Sequence, residues 1–144
     1  MVGAMRALGA TMLLMITPLT AQSATPGEPS LSAAQTKVVS KAIAKLERPE
    51  ERALASSMTN AKKVAEVICR LAALSALKKQ IPGADRVFLG TNDPATLTLV
   101  SNKSLVGTGQ VRSGANWTEF SFACQLDPRS GKARSFTAKM TPGN

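Results

Sequence analysis

"NWTEFSFACQLDPRSGKARSF", residues 116–136, decides the fold. Its first half alternates: Phe120, Phe122, Cys124 and Leu126 point one way, and Trp117, Glu119, Ser121 and Gln125 the other. A period of two over this length marks a half-buried strand. "DPRSGK" (127–132) is a turn with a glycine available for the left-handed position. "ARSFTAKM" (133–140) then returns with Phe136, Ala138 and Met140 on one face. The stretch is a β-hairpin with one apolar side, and that side needs a packing partner.

Upstream, "RVFLG" (86–90) and "TLTLV" (96–100) read as short strands separated by the turn residues "TNDP". "SLVGTGQVR" (104–112) is a third, with Leu105 and Val111 on one face and Gly107 and Gly109 between them. "GTG" lacks dinucleotide-binding spacing and no helix follows it. Glycines inside an alternating strand mark a bulge or the close approach of a neighbour.

Before the strands the period is 3.6. "AKKVAEVICRLAALSALKKQ" (61–80) places Val64, Val67, Ile68, Leu71 and Leu74 on one helical face. Lys63, Glu66 and Arg70 lie on the other, with Glu66 four residues before Arg70 in the favourable order. Asn60 is placed to cap this helix, and "IPG" (81–83) breaks it. "LSAAQTKVVSKAIAKLERP" (31–49) reads as an earlier helix with a Ser32–Gln35 capping box. Val38, Val39, Ala42, Ile43 and Leu46 form its stripe, beside a basic ridge of Lys37, Lys41 and Lys45. Pro49, with Glu50 and Glu51 behind it, can open another helix. "SSMTN" (56–60) is a polar break.

The expected fold is therefore α+β: one or two N-terminal helices, a long helix, and a mainly antiparallel sheet of four to five strands packed on it. Residues 25–30, "TPGEPS", read as a mobile linker, 31–58 as a helical lead-in and 59–144 as the α+β domain.

The chain has two cysteines and no histidine. Cys124 shares the apolar face of its strand with Phe120 and Phe122, and Cys69 lies at the edge of the apolar face of the long helix. If helix packs on sheet, the two thiols approach each other. A Cys69–Cys124 disulfide is expected, with free buried thiols as the alternative. Aromatics are 3% of residues, so the core is thin and a covalent clamp would matter.

The N-terminus bears on compartment. Arg6 precedes the uncharged apolar run "ALGATMLLMITPL" (7–19), and "TAQSA" (20–24) offers small residues for cleavage. This is the pattern of a secretory signal peptide over residues 1–24, with cleavage near residues 21–24. The run is shorter than the ~20 residues of a bilayer span; an uncleaved anchor is the alternative. A periplasmic or secreted location supplies the oxidising conditions that a disulfide needs.

The formal net charge is +9, and a leader carries away only Arg6. Such a balance favours anionic partners, here an anionic envelope component or an acidic protein. The plainer alternative is that the charge keeps a small domain soluble. Single-strand nucleic-acid binding is disfavoured, because the phenylalanines share a face with Cys124 and so belong to the core.

Without histidine, Ser-His and Cys-His nucleophile pairs are absent. Two cysteines alone do not make a structural zinc site, so no metal or cofactor is expected. Asp85, Asp93, Glu119 and Asp127 remain as carboxylates for an envelope hydrolase, the alternative to a non-enzymatic binding module. Asp93 and Asp127 each precede a proline and suit turns better than catalysis. Trp117, the sole tryptophan, faces away from the phenylalanines. Burial beneath the first helix is the expectation; exposure would make it a binding anchor, with Arg112 beside it and Lys62 and Lys63 as further cationic candidates. "NKS" (102–104) and "NWT" (116–118) match the N-glycosylation pattern and carry no weight here.

"VICRLAALSALKK" (67–79), "GADRVFLGTNDPATLTL" (83–99), "LVGTGQVR" (105–112) and W-x-x-F-x-F-x-C-x-L-D-P (117–128) followed by G-K-A-x-S-F (131–136) resemble small exported proteins of alphaproteobacterial type. They are similar to the domain-of-unknown-function family 930. The resemblance covers residues 60 to about 138 and leaves the lead-in 31–58 outside it. It implies an envelope location and a compact disulfide-linked domain, and no catalytic residues.

Overall fold

A computed structural model describes residues 27–142. The signal-peptide reading of 1–24 lies outside the described residues, as do the first two positions of the linker.

The lead-in forms two helices, α1 (Ala33–Ala44) and α2 (Pro49–Ser57). Ser32 caps α1 in the expected box with Gln35. The helix stops before Leu46, whose carbonyl is capped instead by Arg52 at 2.6 Å. Pro49 then opens α2 at its first turn.

The long helix runs in three pieces: α3 (Asn60–Val64), a π turn (Ala65–Cys69) and α4 (Arg70–Gln80). Its N-cap is Thr59, whose hydroxyl accepts from the Lys62 N–H, and not Asn60. Asn60 instead donates its side-chain amide to the Pro29 carbonyl at 3.0 Å. Glu28 accepts from the Ala61 N–H at 2.7 Å. The described end of the linker is thus fastened to the start of α3.

The π turn changes which residues face inward. In an uninterrupted α-helix Val64 and Leu71 stand about two turns apart on one face. The π turn closes i→i+5 and takes up one extra residue. Val64, Ile68, Cys69, Ala73 and Leu77 are buried, while Leu71 is 78% exposed. Cys69, expected at the edge of the apolar face, is fully enclosed.

Five strands follow: β1 (Ala84–Leu89), β2 (Leu97–Val100), β3 (Ser104–Ser113), β4 (Asn116–Asp127) and β5 (Lys132–Met140). They form one antiparallel sheet in the order β1-β3-β4-β5. β2 pairs with the first half of β3, so it lies along the same edge as β1. α4 packs against β1 and β5, on opposite edges of the sheet. The alternation of 116–126 holds: Phe120, Phe122, Cys124 and Leu126 are buried. Phe122 stacks on Phe136 at 5.2 Å, and Phe120 meets both edge-on.

The two layers are joined by a Cys69–Cys124 disulfide, Cα–Cα 6.2 Å, between residues 55 apart in sequence. The chain-entropy model gives a loop of this size about 4 kcal/mol of stabilisation.

Gly107 and Gly109 mark close approach, not a phosphate loop. A Cβ on Gly109 would stand 2.6 Å from both the Phe120 ring and the Phe88 carbonyl. One on Gly107 would meet the Thr96 carbonyl.

α1 does not lie over the outer face of the sheet. It is tied to loops at one end: the Ser32 hydroxyl donates to the Pro128 carbonyl and the Gln35 amide to the Asn102 carbonyl, both at 2.7 Å. Gln35 is fully buried, with its polar atoms satisfied.

Candidate binding surface

The strand register builds the outer face from rows of side chains. Arg86, Arg112 and Trp117 stand opposite one another on β1, β3 and β4. The next row is Phe88, Gln110 and Glu119. The row beyond it is polar, with Thr108 opposite Ser121 and Ser121 opposite Lys139, and the row after that, Thr98, Val106, Ala123 and Thr137, brings apolar side chains back.

Trp117 is 43% exposed and Phe88 45%. The expectation that the first helix buries Trp117 is therefore corrected: α1 packs against the π turn, α2 and α3. The indole reaches over β3 to stack on Phe88, ring centroids 5.5 Å apart and planes inclined by 16°. The Arg112 guanidinium stands 5.9 Å from the indole centre, within cation–π range. Its Nε and Nη2 donate to the two carboxylate oxygens of Asp85 at 3.0 and 2.8 Å. That two-point bond fixes the plane of the guanidinium as a point contact would not. The Arg112 hydrogen bonds hold the Asp85 carboxyl below the usual carboxylate range. The cluster is a half-exposed platform of two aromatic rings beside an Arg112–Asp85 ion pair.

Lys62 and Lys63 are not part of it. They rise from α3 in the helical layer, on the other side of the sheet from Trp117. Lys62 donates to the Leu89 carbonyl at 2.9 Å and pairs with Glu66 at 3.2 Å. Cys69 and Cys124 are both in the core disulfide.

The four carboxylates go to separate places. Asp85 is held by Arg112, and Glu119 accepts from Gln110 at 3.4 Å. Asp93 caps the short 3-10 turn Pro94–Thr96 through the Ala95 N–H. Asp127 accepts from the Arg129 N–H at 3.0 Å and stands 3.6 Å from Arg134. The backbone bond, with Ser130 and Arg134, holds Asp127 below the ordinary range as well. Among the described residues no three histidine, cysteine or acidic side chains gather as a metal site.

Phe88 and Asp85 complete the cluster, and sequence reasoning missed both as members. Alternation within "RVFLG" turns Phe88 outward, and that signal is legible. That it meets Trp117 depends on β3 lying between β1 and β4.

Compared with protein-family models, curated proteins and solved structures, the chain finds no match. Among the described residues no helix is long and apolar enough to cross a membrane.

Proposed function

We propose that this chain is a non-enzymatic binding module, exported to the periplasm or secreted, whose contact surface is centred on Trp117, Phe88 and Arg112. The partner is an anionic envelope component or an acidic protein. One observation carries the reading: a stacked aromatic pair is left half in water beside an arginine whose geometry is fixed by Asp85. Tryptophan and arginine are the residues most enriched in binding hot spots, and a pre-set guanidinium loses less entropy on contact. The net positive charge favours encounter with anions.

Export rests on residues 1–24, whose charge and apolar run suit a cleaved leader, and the Cys69–Cys124 bond is compatible with an oxidising compartment. We infer likewise that residues 60 to about 138 are similar to family 930, through the helical Cys69 and the Trp117 strand that ends in Cys124.

Trp117 is the sole tryptophan, so its emission reads the proposed surface directly. Adding envelope extract at low salt should shift that emission; the shift should vanish at high salt and in Arg112→Ala. Unchanged emission, with no protein retained on immobilised extract at low salt, would contradict the reading.

A further inference from the structure

A groove of about 500 Å³ runs between α1, α2 and the long helix. Ile43, Leu46, Met58, Val67 and Leu71 supply apolar walls, and Lys62, Lys63, Glu66 and Arg70 the charged rim. The volume falls in the ~300–1,000 Å³ range of small-molecule sites, which are mostly apolar with a few placed polar groups.

The π turn of the long helix contributes to one wall of this groove, through Glu66 and Val67. The extra residue in Ala65–Cys69 carries Leu71 away from the core, leaving it 78% exposed on the groove wall. π turns within α-helices are frequently found at functional sites.

The rim has a definite charge pattern. Glu66 pairs with Lys62 at 3.2 Å and with Arg70 at 3.0 Å. Lys63 has no ion-pair partner among the described residues, and the rim is net positive. Lys63 and Ile43 also line an adjoining hollow of about 360 Å³, where Thr36, Ser40, Ser56 and Asn60 present hydroxyl and amide groups. The two hollows meet at Ile43 and Lys63, so the unpaired ammonium stands between apolar walls on one side and the hydroxyls of the other.

We propose that this composite groove binds one molecule of a single-chain fatty carboxylate. The alkyl chain lies against Ile43, Val67 and Leu71. The carboxylate meets the Lys63 ammonium, with the hydroxyls of the adjoining hollow within reach of its oxygens. Division of apolar wall from unpaired cation selects a ligand that is itself divided the same way. The size of the groove suits one free chain and not a membrane surface. This site lies in the helical layer and does not depend on the Trp117 surface.

The test is calorimetric titration of the chain from residue 25 to its end with decanoate below its micellisation concentration. Decanol serves as the uncharged chain and acetate as the chainless charge. Decanoate should bind one to one, decanol at least about tenfold more weakly, and acetate not at all. Lys63→Gln should weaken decanoate about tenfold, and Leu71→Asp, at a position 78% exposed, should abolish binding while its circular dichroism matches the parent's. Trp117→Ala should leave the affinity unchanged, which separates this site from the outer face. Equal affinity for decanoate and decanol, or unaltered binding in Lys63→Gln, overturns the proposal. So does binding to anionic phospholipid vesicles without binding to monomeric decanoate.

Discussion

Trp117 and Phe88 stack with nearly parallel, offset rings although β3 separates their strands, the indole bridging over it with centroids 5.5 Å apart. The pair makes a patch of aromatic surface on one corner of the outer face, with the guanidinium of Arg112, opposite Trp117 on β3, 5.9 Å from the indole centre. A contact of this kind is measurable in isolation. Trp117→Ala and Phe88→Ala should each cost about 1 kcal/mol, because both rings are half in water already. Their coupling in a double-mutant cycle, followed by urea unfolding and circular dichroism, should be about 0.5–1.5 kcal/mol. Strictly additive losses would show that the rings do not touch in solution.

The π turn makes a sharper prediction about two leucines six residues apart. Leu77 is fully buried and Leu71 is mostly in water. Leu77→Ala should therefore cost about 2–5 kcal/mol, and Leu71→Ala less than about 0.5 kcal/mol. Chemical denaturation of the two variants checks this. A large loss at Leu71 would restore the uninterrupted helical phase and contradict the turn.

Gly109 should tolerate no side chain. The Phe120 ring and the Phe88 carbonyl both occupy the space of its Cβ, and the carbonyl belongs to the paired backbone. Gly109→Ala should destabilise by about 1–3 kcal/mol, while Ser121→Ala on the exposed face changes stability by less than about 0.5 kcal/mol. Thermal melts of the two variants make the comparison.

Much of this architecture is legible in the residue order, for physical reasons. Phe120, Phe122, Cys124 and Leu126 alternate because a strand's side chains do, and one buried face then fixes the register. Cys124 falls on the apolar face of its strand and Cys69 at the edge of that of its helix, near enough to expect a bond once helix packs on sheet, though not the full enclosure of Cys69. Leu71 is misread because hydrophobic spacing alone does not reveal one extra residue in a turn. Thr59 and Asn60 are both good caps, and only the chain path assigns the role to Thr59. Trp117 reads correctly as outward-facing, but whether α1 covers it depends on hydrogen bonds to Pro128 and Asn102, distant in sequence. Arg112 and Asp85 meet for the same reason that Phe88 meets Trp117: strand order is a long-range property.

Acid should weaken the fold through Asp85 and Asp127. Both carboxyls are held below their usual range, Asp85 chiefly by its hydrogen bonds from Arg112 and Asp127 chiefly by the Arg129 N–H. A carboxyl whose pKa is lower folded than unfolded stabilises above the unfolded value of ~3.9. That contribution is lost as pH falls through the lower folded value. The urea midpoint should drop between about pH 5 and about pH 2, and the drop should be smaller in the Asp85→Asn, Asp127→Asn double variant. An identical pH profile in the two proteins would place the acid sensitivity elsewhere.

The covalent tie between helix and sheet underlies every surface described above, and export is what would let it form. Alkylation of unreduced protein taken from an envelope fraction, followed by intact-mass measurement, reads both at once. The account predicts a chain beginning just after residues 21–24 with no alkylated thiol. A chain retaining the leader, with Cys69 and Cys124 both alkylated, would contradict it.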